Sequence, residues 1–500
     1  MALVTHHLAH SRIPELGAES PAISVITAAA AAAAASVSAG SGAASGWQTP
    51  APTPPATPAS HAPPPAPAAP LRQVRIIPDV LPEIFEFLVD ATETLHSCAL
   101  VSHTWRNVVL AVLYARPHFA SVWSLRRFTA ALARRACLGR WVRWLDLSTI
   151  RTTIPPAEFA RLFPLVSGVR SVDLSYCREL RDCHVQTLLA QCAQTLTAIT
   201  LAGNKHLTNA SLELIAAHAG VRLRALCIDE CHGITDACMQ VVASKCTQLV
   251  TLKLASTGSL ITDASLLALA WPRRARACDS LRTIQLYSCP GVTDASLTLL
   301  AQACPHLAAV ELYRLPWVTD VSLAEMARHN GSSLRSLCLG EMPNITDTSI
   351  CEIGRSCDMH SLTLCHCEHI TDRGIVELVR HSPNIGFLDI GLVGDITLVS
   401  LVATAQCCPR LQDLVVSGNL FAEAIPTRAV MDIVQSIASL DSLTIFQSRD
   451  ITMDDIESFS ARCPNVRCIF VRQCVKITPA LAEVFTKTHR TKLVVQFASA

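Results

Sequence analysis

The residues Cys365-His366-Cys367-Glu368-His369 are of the types that most often ligate zinc, which makes them the first candidates for chemistry in this 500-residue chain. Their spacing is not the C-x-x-C of common zinc sites. Cys367 also occupies a place where other cysteines of the chain recur at a fixed interval. We therefore expect no metal and no cofactor. A zinc or redox protein remains an alternative, and it predicts bound zinc or disulfides after purification.

The chain shows no motif of enzymatic chemistry, since a phosphate-cradling glycine loop, a Gly-x-Ser-x-Gly elbow and a His-Glu-x-x-His pair are all missing. The 41 basic and 40 acidic residues give a net charge of +1, which disfavours a general nucleic-acid binder. No apolar stretch reaches the about 20 residues that cross a bilayer. The composition predicts a soluble non-enzyme of the cytoplasm and/or nucleus, with reduced cysteines and no membrane partner.

An L-x-x-L-x-L pattern recurs from residue 142 onward and predicts a repeat fold. We number positions within a unit from its last apolar residue, position 0. Position 0 is predicted at Leu147, Leu174, Leu201, Ile228, Leu254, Leu286, Leu312, Leu339, Leu364, Ile390, Val416, Ile445, Val471 and Phe497. Each unit is a short strand and a helix that bury their apolar faces only by stacking on copies of themselves. The pattern predicts an α/β solenoid, a leucine-rich-repeat horseshoe with parallel inner strands and outer helices.

Ile-Thr-Asp or Val-Thr-Asp recurs between strand and helix, as at residues 234–236 and 292–294. The threonine supplies a capping oxygen, and the aspartate places negative charge at the start of a helix. The cysteines repeat as well. Cys177, Cys231, Cys289, Cys367 and Cys474 fall at position +3, while Cys192, Cys246, Cys304, Cys357, Cys408 and Cys463 close helices. These places predict small, buried packing residues.

Composition divides the chain into four segments. Residues 1–73 form an Ala- and Pro-rich tail that is expected to be disordered, although its proline runs could also bind recognition domains. Residues 74–118 carry apolar residues at helical spacing, residues 119–141 form a helical linker or cap, and residues 142–500 hold about 13 repeats. Arg126, Arg127, Arg134 and Arg135 of the linker are interpreted as a solvated helix face, with a partner-binding patch as the alternative.

The segment from Ile77-Pro78 to Trp105-Arg106 resembles the F-box. Val80-Leu81, Ile84-Phe85, Leu88, Leu100-Val101-Ser102 and Trp105 fill the places of the F-box pattern. The repeats resemble the cysteine-containing class of leucine-rich repeat. Together they are similar to F-box/leucine-rich-repeat substrate receptors of SCF ubiquitin ligases, of the fungal type in particular.

The resemblance implies a non-catalytic receptor with two binding surfaces. The F-box would dock on a Skp-family linker protein, and through it on cullin, while the solenoid would hold the protein to be ubiquitinated. The expected linker-binding residues are Ile77, Pro78, Leu81, Ile84, Phe85, Leu88, Leu95, Val101 and Trp105. Their structural alternative is packing inside the F-box. A leucine-rich-repeat scaffold or inhibitor that works without a ligase is the main functional alternative.

Strand alternation directs positions −1 and +1 onto the concave face. The candidate substrate-binding residues of the concave face are Asp146, Asp173, Asp229, Lys253, Gln285, Tyr287, Glu311, Tyr313, Phe387, Asp389, Asp413, Phe446, Phe470 and Arg472, of which Phe387 and Asp413 lie two residues earlier, at position −3. Acids outnumber bases among them, which predicts a basic or mixed peptide ligand, with the exposed aromatic residues as anchors. The alternative is a merely solvated inner face. The insertion Trp271–Arg276 is interpreted as a variable surface loop, with an import signal or anion patch as the alternative.

Overall fold

The computed structural model describes Phe85 and residues 92–150, 154–255, 261–270, 277–391, 393, 396–417, 427–446, 448, 450–474 and 476–496. The chain divides into two compact units, Met1–Pro117 and His118–Ala500. The predicted tail at residues 1–73 and the insertion Trp271–Arg276 lie outside the described residues.

Two helices make up most of the described part of the first unit: α1 spans Thr92–Cys98 and α2 spans His103–Ala115. Ser102 caps α2, because its hydroxyl accepts a hydrogen bond from the Trp105 N–H at 3.1 Å. The predicted helical character of the F-box region is confirmed.

The second unit contains a 14-stranded parallel sheet in which every strand pairs with its neighbours in sequence. The strands are β1 Trp144–Asp146, β2 Ser171–Asp173, β3 Ala198–Thr200, β4 Ala225–Asp229, β5 Thr251–Ala255, β6 Thr283–Tyr287, β7 Ala309–Tyr313, β8 Ser336–Gly340, β9 Ser361–Cys365, β10 Phe387–Asp389, β11 Asp413–Ser417, β12 Ser442–Phe446, β13 Cys468–Arg472 and β14 Lys492–Gln496.

Helix α3 opens this unit, and a helix or short 3-10 turn follows nearly every strand. The α-helices are α3 Val122–Arg134, α4 Pro156–Leu162, α5 Asp182–Cys192, α6 Asn209–Ala219, α7 Met239–Lys245, α8 Asp263–Ala270, α9 Ala277–Ser280, α10 Asp294–Ala303, α11 Asp320–Asn330, α12 Asp347–Ser356, α13 Asp372–His381, α14 Leu398–Cys407, α15 Thr427–Val434, α16 Met453–Arg462 and α17 Pro479–Thr488. The 3-10 turns are Ala136–Trp141, Phe163–Leu165, Gly220–Arg222 and Asp236–Cys238.

Burial along the strands follows the predicted period of two. In β6, Ile284 and Leu286 are fully buried between the sheet and the helices, while Thr283 and Gln285 are half-buried on the other face. Consecutive helices also pack on one another along the array. The predicted α/β leucine-rich-repeat solenoid is confirmed. One register differs: Val471 pairs with Val495, so position 0 of the last unit is Val495 and not Phe497, because Leu493 takes the buried position −2.

The Thr-Asp pairs have a role beyond capping a single helix. The threonine caps its own helix, as Thr346 does by accepting from the Thr348 N–H at 3.2 Å. The aspartate accepts hydrogen bonds from the threonine of the next unit, both from its N–H and from its hydroxyl. For Asp320 and Thr346 these distances are 2.9 and 2.5 Å. Charge-assisted hydrogen bonds therefore join neighbouring repeats.

We call this series the threonine ladder. Its pairs are Asp182–Thr208, Asn209–Thr235, Asp236–Thr262, Asp263–Thr293, Asp294–Thr319, Asp320–Thr346, Asp347–Thr371 and Asp372–Thr397. Asn209 is the exception: its amide oxygen accepts from the Thr235 N–H, and its amide N–H donates to the Thr235 hydroxyl, both at 2.9 Å. In four of them a buried serine of the next helix adds a further hydrogen bond to the same aspartate; these serines are Ser211, Ser265, Ser296 and Ser400.

Position +3 makes a second link between units. Cys231 donates its thiol to the position 0 carbonyl of the preceding unit, Leu201, at 2.9 Å, and Cys367 donates to Leu339 at 3.7 Å. Asn204 takes the same place and donates its amide to the Leu174 carbonyl at 2.9 Å. The cysteines at position +3 are fully or almost fully buried, which confirms that they are packing residues.

Position +2 has a left-handed backbone in most described units. The residues there are Tyr176, Gly203, Glu230, Ser288, Arg314, Glu341, His366 and Gln473, with φ between 49° and 71°. This conformation costs an L-residue roughly 1–2 kcal/mol, and only one of these residues is glycine. The turn out of each strand is therefore held by the packing around it.

Candidate protein-binding surfaces

The first unit has a small core that includes two residues predicted to bind the linker. Phe85 and Leu95 are fully buried together with Cys98 and Val109. The Phe85 ring meets the half-buried Trp105 edge to face, with centroids 5.3 Å apart. Phe85 and Leu95 therefore form part of the core of this unit, because a unit this small has few other side chains to fill its interior. Their part in linker binding stays a prediction.

Among the described residues of this unit, two exposed apolar side chains lie in the turn between α1 and α2. Leu100 is 72% exposed and Val101 is 41% exposed. Val101 was predicted as a linker contact, whereas Leu100 was not, although both belong to the Leu-Val-Ser signature. We call Leu100 and Val101 the α1–α2 patch. The predicted contacts Ile77, Pro78, Leu81, Ile84 and Leu88 lie outside the described residues.

On the strand face of the solenoid, which is the predicted concave face, position −1 is more accessible than position +1. The half-buried residues are Asp146, Asp173, Lys253, Gln285, Glu311, Phe387, Asp413, Phe470 and Arg472. Asp229, Tyr287, Tyr313, Asp389 and Phe446 are buried. The prediction that Tyr287, Tyr313 and Phe446 are exposed is wrong, because side chains and backbone of the next strands cover their rings. The Tyr287 ring packs at a tilt on Tyr313, the Tyr313 ring lies against Gly340, and the Arg472 guanidinium lies over the Phe446 ring.

The middle of this face is a chain of linked side chains. The Lys253 ammonium lies 5.1 Å from the centre of the Tyr287 ring, and the Tyr287 ring centre is 6.0 Å from that of Tyr313. The Tyr287 hydroxyl donates to Glu311, which also accepts from the Gln285 amide at 2.9 Å. Burial and the neighbouring carboxylate of Glu311 raise the pKa of Tyr287 far above its usual value. Tyr287 therefore stays protonated and fixes the Glu311 carboxylate.

Tyr313 forms a similar arrangement one strand further along. Its hydroxyl and the Arg314 guanidinium both donate to Glu341. Burial raises the pKa of Glu341, but these hydrogen bonds lower it more, so that its pKa lies below the usual value. Gly340 makes room for the Tyr313 ring, since a Cβ at Gly340 would come within 2.1 Å of that ring. The two tyrosines thus organise the centre of the strand face instead of projecting from it.

The acids of the strand face are largely engaged within the protein. Asp146 accepts hydrogen bonds from the N–H and hydroxyl of Ser148 at 2.8 and 2.6 Å, and Asp173 binds Ser175 in the same way. Burial raises the pKa of Asp173, with an opposing contribution from Ser175. The face therefore offers a ligand fewer unengaged carboxylates than the sequence predicts.

Asp389 is the most deeply buried acid of this face. Only 5% of its surface is exposed, and burial raises its pKa to about 7 despite the hydrogen bond from the Gly391 N–H at 2.9 Å and the positive charge of Arg472. The Arg472 guanidinium lies 5.3 Å from the centre of the Phe446 ring. Asp389 therefore keeps its proton to a higher pH than an exposed aspartate does, in a place where the sequence predicts a contact with the ligand.

The zinc alternative can be examined at Cys365–His369. Cys367 is buried, and its thiol donates to the backbone carbonyls of Leu339 and Cys365. Burial raises the pKa of the Cys365 and Cys367 thiols to about 12 and about 11, which disfavours the thiolate form that zinc requires. Among the residues that the structure describes, no group of three or more His, Cys, Asp and Glu side chains could hold a metal ion.

Residues 77–153 match the family model described as the COS11 F-box domain, so the chain contains an F-box domain there. Within the described ranges, no helix is both long and apolar enough to cross a membrane.

Two curated relatives match part of the chain. Antagonist of mitotic exit network protein 1 of Eremothecium gossypii is 31% identical over 271 residues, or 51% of this chain and 65% of the relative. The protein of the same name from Candida glabrata is 27% identical over 213 residues, or 42% of this chain and 39% of the relative. The chain thus matches less than two thirds of either relative.

A solved structure shares the fold. The crystal structure of the Rad7 and Elc1 complex in yeast has a TM-score of 0.51 and 16% identity, and the match covers 83% of this chain and 95% of that chain. At this identity the likeness supports the solenoid fold and nothing further.

Proposed function

We propose that this chain is the non-catalytic substrate-recognition subunit of an SCF-type E3 ubiquitin ligase in the cytoplasm or nucleus. The F-box would dock on a Skp-family linker and through it on cullin, and the strand face would bind the protein to be ubiquitinated. The observation that carries the proposal is the F-box domain at residues 77–153. A neighbour of the same fold, Rad7, assembles with Elc1, which is consistent with a protein partner for this chain.

The α1–α2 patch supplies a physical reason for linker docking. Leu100 and Val101 are adjacent, apolar and exposed next to the Ser102 cap of α2. Burying two such side chains in a partner is worth on the order of 2–4 kcal/mol. The role of this chain would be proximity and orientation, because it would hold a substrate close to the ubiquitin-conjugating enzyme and transfer nothing itself.

The strand face is the proposed substrate surface. Its half-buried residues, among them Lys253, Glu311, Phe387 and Phe470, lie on one continuous sheet and present charge beside aromatic area. Lys253 and Glu311 are already positioned by Tyr287 and Gln285, so these two side chains lose little entropy on binding. A basic or mixed peptide segment of the substrate fits this combination of side chains.

Binding without a ligase is the second candidate. The relatives named antagonist of mitotic exit network protein 1 favour it, since a repeat protein can antagonise a partner by occupying its surface. The two candidates differ in whether function requires the F-box.

The test is a binding measurement between the purified full chain and a Skp-family linker. We expect wild type to bind and the Leu100→Glu/Val101→Glu double variant to lose affinity about 100-fold, because two charges enter an apolar contact. Val399→Glu/Val484→Glu is the matched control: these two valines of the second unit are 58% and 61% exposed, and the control should bind like wild type. Phe85→Ala is unsuitable, since it removes the core of the first unit.

If wild type fails to bind the linker, the ligase proposal is wrong and binding without a ligase is favoured. If the control loses affinity as the α1–α2 patch variant does, the assignment of the patch is wrong.

A further inference from the structure

Arginines recur just before the N-terminal ends of alternate strands of the sheet. Arg170, Arg224, Arg282 and Arg335 each immediately precede a strand, namely β2, β4, β6 and β8. They occupy the same position −4 of alternate units. We call them the arginine row. None of the four is among the candidate strand-face residues.

Alternate strands place these arginines at a regular spacing. Neighbouring strands are about 4.8 Å apart, so successive members of the row lie about 10 Å apart. The intervening units have Thr197, Val250 and Ala308 at the same position. These shorter side chains leave space between the guanidinium groups.

The charges of the row are not neutralised within the protein. None of the four arginines forms an ion pair with a described residue. Arg282 donates to the His306 carbonyl at 3.2 Å, and Arg335 donates to the Leu334 and Ser332 carbonyls, both at 2.9 Å. Neutral carbonyl groups position these guanidinium groups and leave their positive charge available.

The surroundings of the row strengthen its positive field. In the described helix-to-strand connections from β2 to β8, Asp279 of α9 is the one acidic residue, while the basic Arg222 lies in such a connection and Lys245 is the last residue of the helix before another. Lys245 ends a helix, where a positive charge complements the helix dipole. The four arginines of the row lie outside the helices, so the helix dipole does not account for them.

The surface next to the row, which we call the floor, is formed by position −3 of the strands and consists of small side chains. Position −3 of the units from β2 to β8 holds Ser171, Ala198, Ala225, Thr251, Thr283, Ala309 and Ser336, all half-buried. A polypeptide backbone can approach such a floor closely. The same floor lacks the aromatic side chains on which single-stranded nucleic acids stack, which favours a protein ligand.

From these observations we propose that the arginine row is a docking strip for an acidic polypeptide segment. An extended peptide advances about 3.3 Å per residue, so carboxylates at every third residue match the spacing of about 10 Å. Guanidinium and carboxylate groups then pair through two parallel hydrogen bonds. The strip goes beyond the proposed function, since it does not depend on the F-box.

The test uses the full chain and a fluorescein-labelled 12-residue peptide with glutamate at every third position and glycine and serine between. We expect binding at low salt that weakens as salt is added. Arg170→Glu/Arg224→Glu should lower the affinity about ten-fold or more, because two attractive pairs become repulsive. Arg178→Glu/Arg373→Glu is the control, since these arginines are exposed elsewhere, form no ion pair with a described residue, and change the net charge equally. It should bind nearly as wild type.

Three outcomes would overturn the proposal: no peptide binding at low salt, equal loss in both double variants, or a 12-nucleotide oligothymidine that binds as tightly as the peptide. A peptide with the same four glutamates in one block should bind more weakly. The row variant should still bind the Skp-family linker as wild type does, so that failure of the strip and failure of the proposed function are distinguishable.

Discussion

The repeats before and after Thr397 use the same helix cap but are joined differently. From Asp182 to Thr397 the threonine ladder links each unit to the next. It stops there because Leu398 takes the place of the aspartate that would continue it. Further along, Thr452 bonds to Asp455 of its own helix, and Thr478 is followed by Pro479. Moving one carboxylate by two residues turns a link between units into a local cap.

This difference bears on the stability of the two regions. In a repeat array, the stability of a segment is approximately the sum of its units and of the interfaces between them. The ladder adds hydrogen bonds between neighbouring units, and these are charge-assisted in every pair except Asn209–Thr235. The units beyond Thr397 are joined by the sheet, the apolar core, position +3 and separate polar contacts, such as the exposed Arg462–Asp432 ion pair, which contributes little. We therefore expect the units beyond Thr397 to open at a lower free energy.

Among the substitutions that test this difference, Asp372→Ala should lower the free energy of unfolding most. Asp372 accepts from the Thr397 N–H at 2.9 Å, from its hydroxyl and from the Ser400 N–H at 3.2 Å, so it joins the last linked unit to the ladder. Its loss should cost about 2–3 kcal/mol, because several donors lose a charged acceptor. Urea unfolding should show the loss, and hydrogen exchange should show faster opening of α14 and the strands after it.

Asp455→Ala is the matched control, because it removes a carboxylate that serves one helix only. It should cost about 1 kcal/mol, the usual value of a helix cap, and leave exchange before Thr397 unchanged. Equal losses in the two variants would show that the ladder does not couple the repeats.

The free energy of unfolding should depend on pH in opposite ways for the ladder aspartates and for Asp389. Burial raises the pKa of Asp236 and Asp372, but hydrogen bonds from their serine and threonine partners lower it more, so both pKa values lie below the usual 3.8. Their stabilisation is therefore present above pH 3.8 and is lost as pH falls through their folded pKa. Asp389 behaves oppositely, because its pKa in the folded protein is about 7. The folded state therefore holds a proton that the unfolded chain releases near pH 4. The free energy of unfolding consequently falls as pH rises between these two values.

Asp389→Asn should consequently stabilise the protein by about 1–3 kcal/mol at pH 8 and by little at pH 4. The amide oxygen can still accept from the Gly391 N–H. Thermal unfolding across this pH range is the measurement. A gain of the same size at pH 4 and pH 8 would mean that ionisation of Asp389 is not the cause.

The smallest effect is expected at position +2, where Ser288→Gly and Gly203→Ala should act in opposite directions. Ser288 has φ of 51° and Gly203 has φ of 71°. Glycine at 288 relieves the left-handed strain and should stabilise by about 0.5–1 kcal/mol. Alanine at 203 adds strain, and its Cβ would lie 2.2 Å from the Tyr176 ring. If Ser288→Gly lowers the free energy of unfolding, the backbone at position 288 is not strained, although its φ is positive.

Features that lie within a single unit and recur in the other units could be predicted from the sequence. The L-x-x-L-x-L spacing placed the strands, and the cysteines at position +3 were expected in the core because they recur beside it. The threonine caps followed from the Ile-Thr-Asp motif. All of these depend on contacts between residues close in sequence, or on burial that the period itself specifies.

Contacts between units could not be predicted in the same way. Asp320 and Thr346 are far apart in sequence, and nothing in either motif indicates that they pair with each other. The burial of Tyr287 depends on Tyr313 and Glu311 in the next strand, and that of Phe85 on the packing of two short helices. The arginine row was visible as a recurring arginine at position −4, but its lack of ion pairs needed the structure.

The end of the ladder at Thr397 also has a mechanical consequence. A molecule pulled by its C-terminal end would lose strands β14 to β11 one after another, with each step resisted by one parallel strand pair, its apolar contacts and isolated polar links such as Ser460–Thr491. The peeling front would then meet the Asp372–Thr397 hydrogen bonds. From that point a ladder link must also break when each further unit detaches. The unfolding force should therefore rise in a single step partway through the extension.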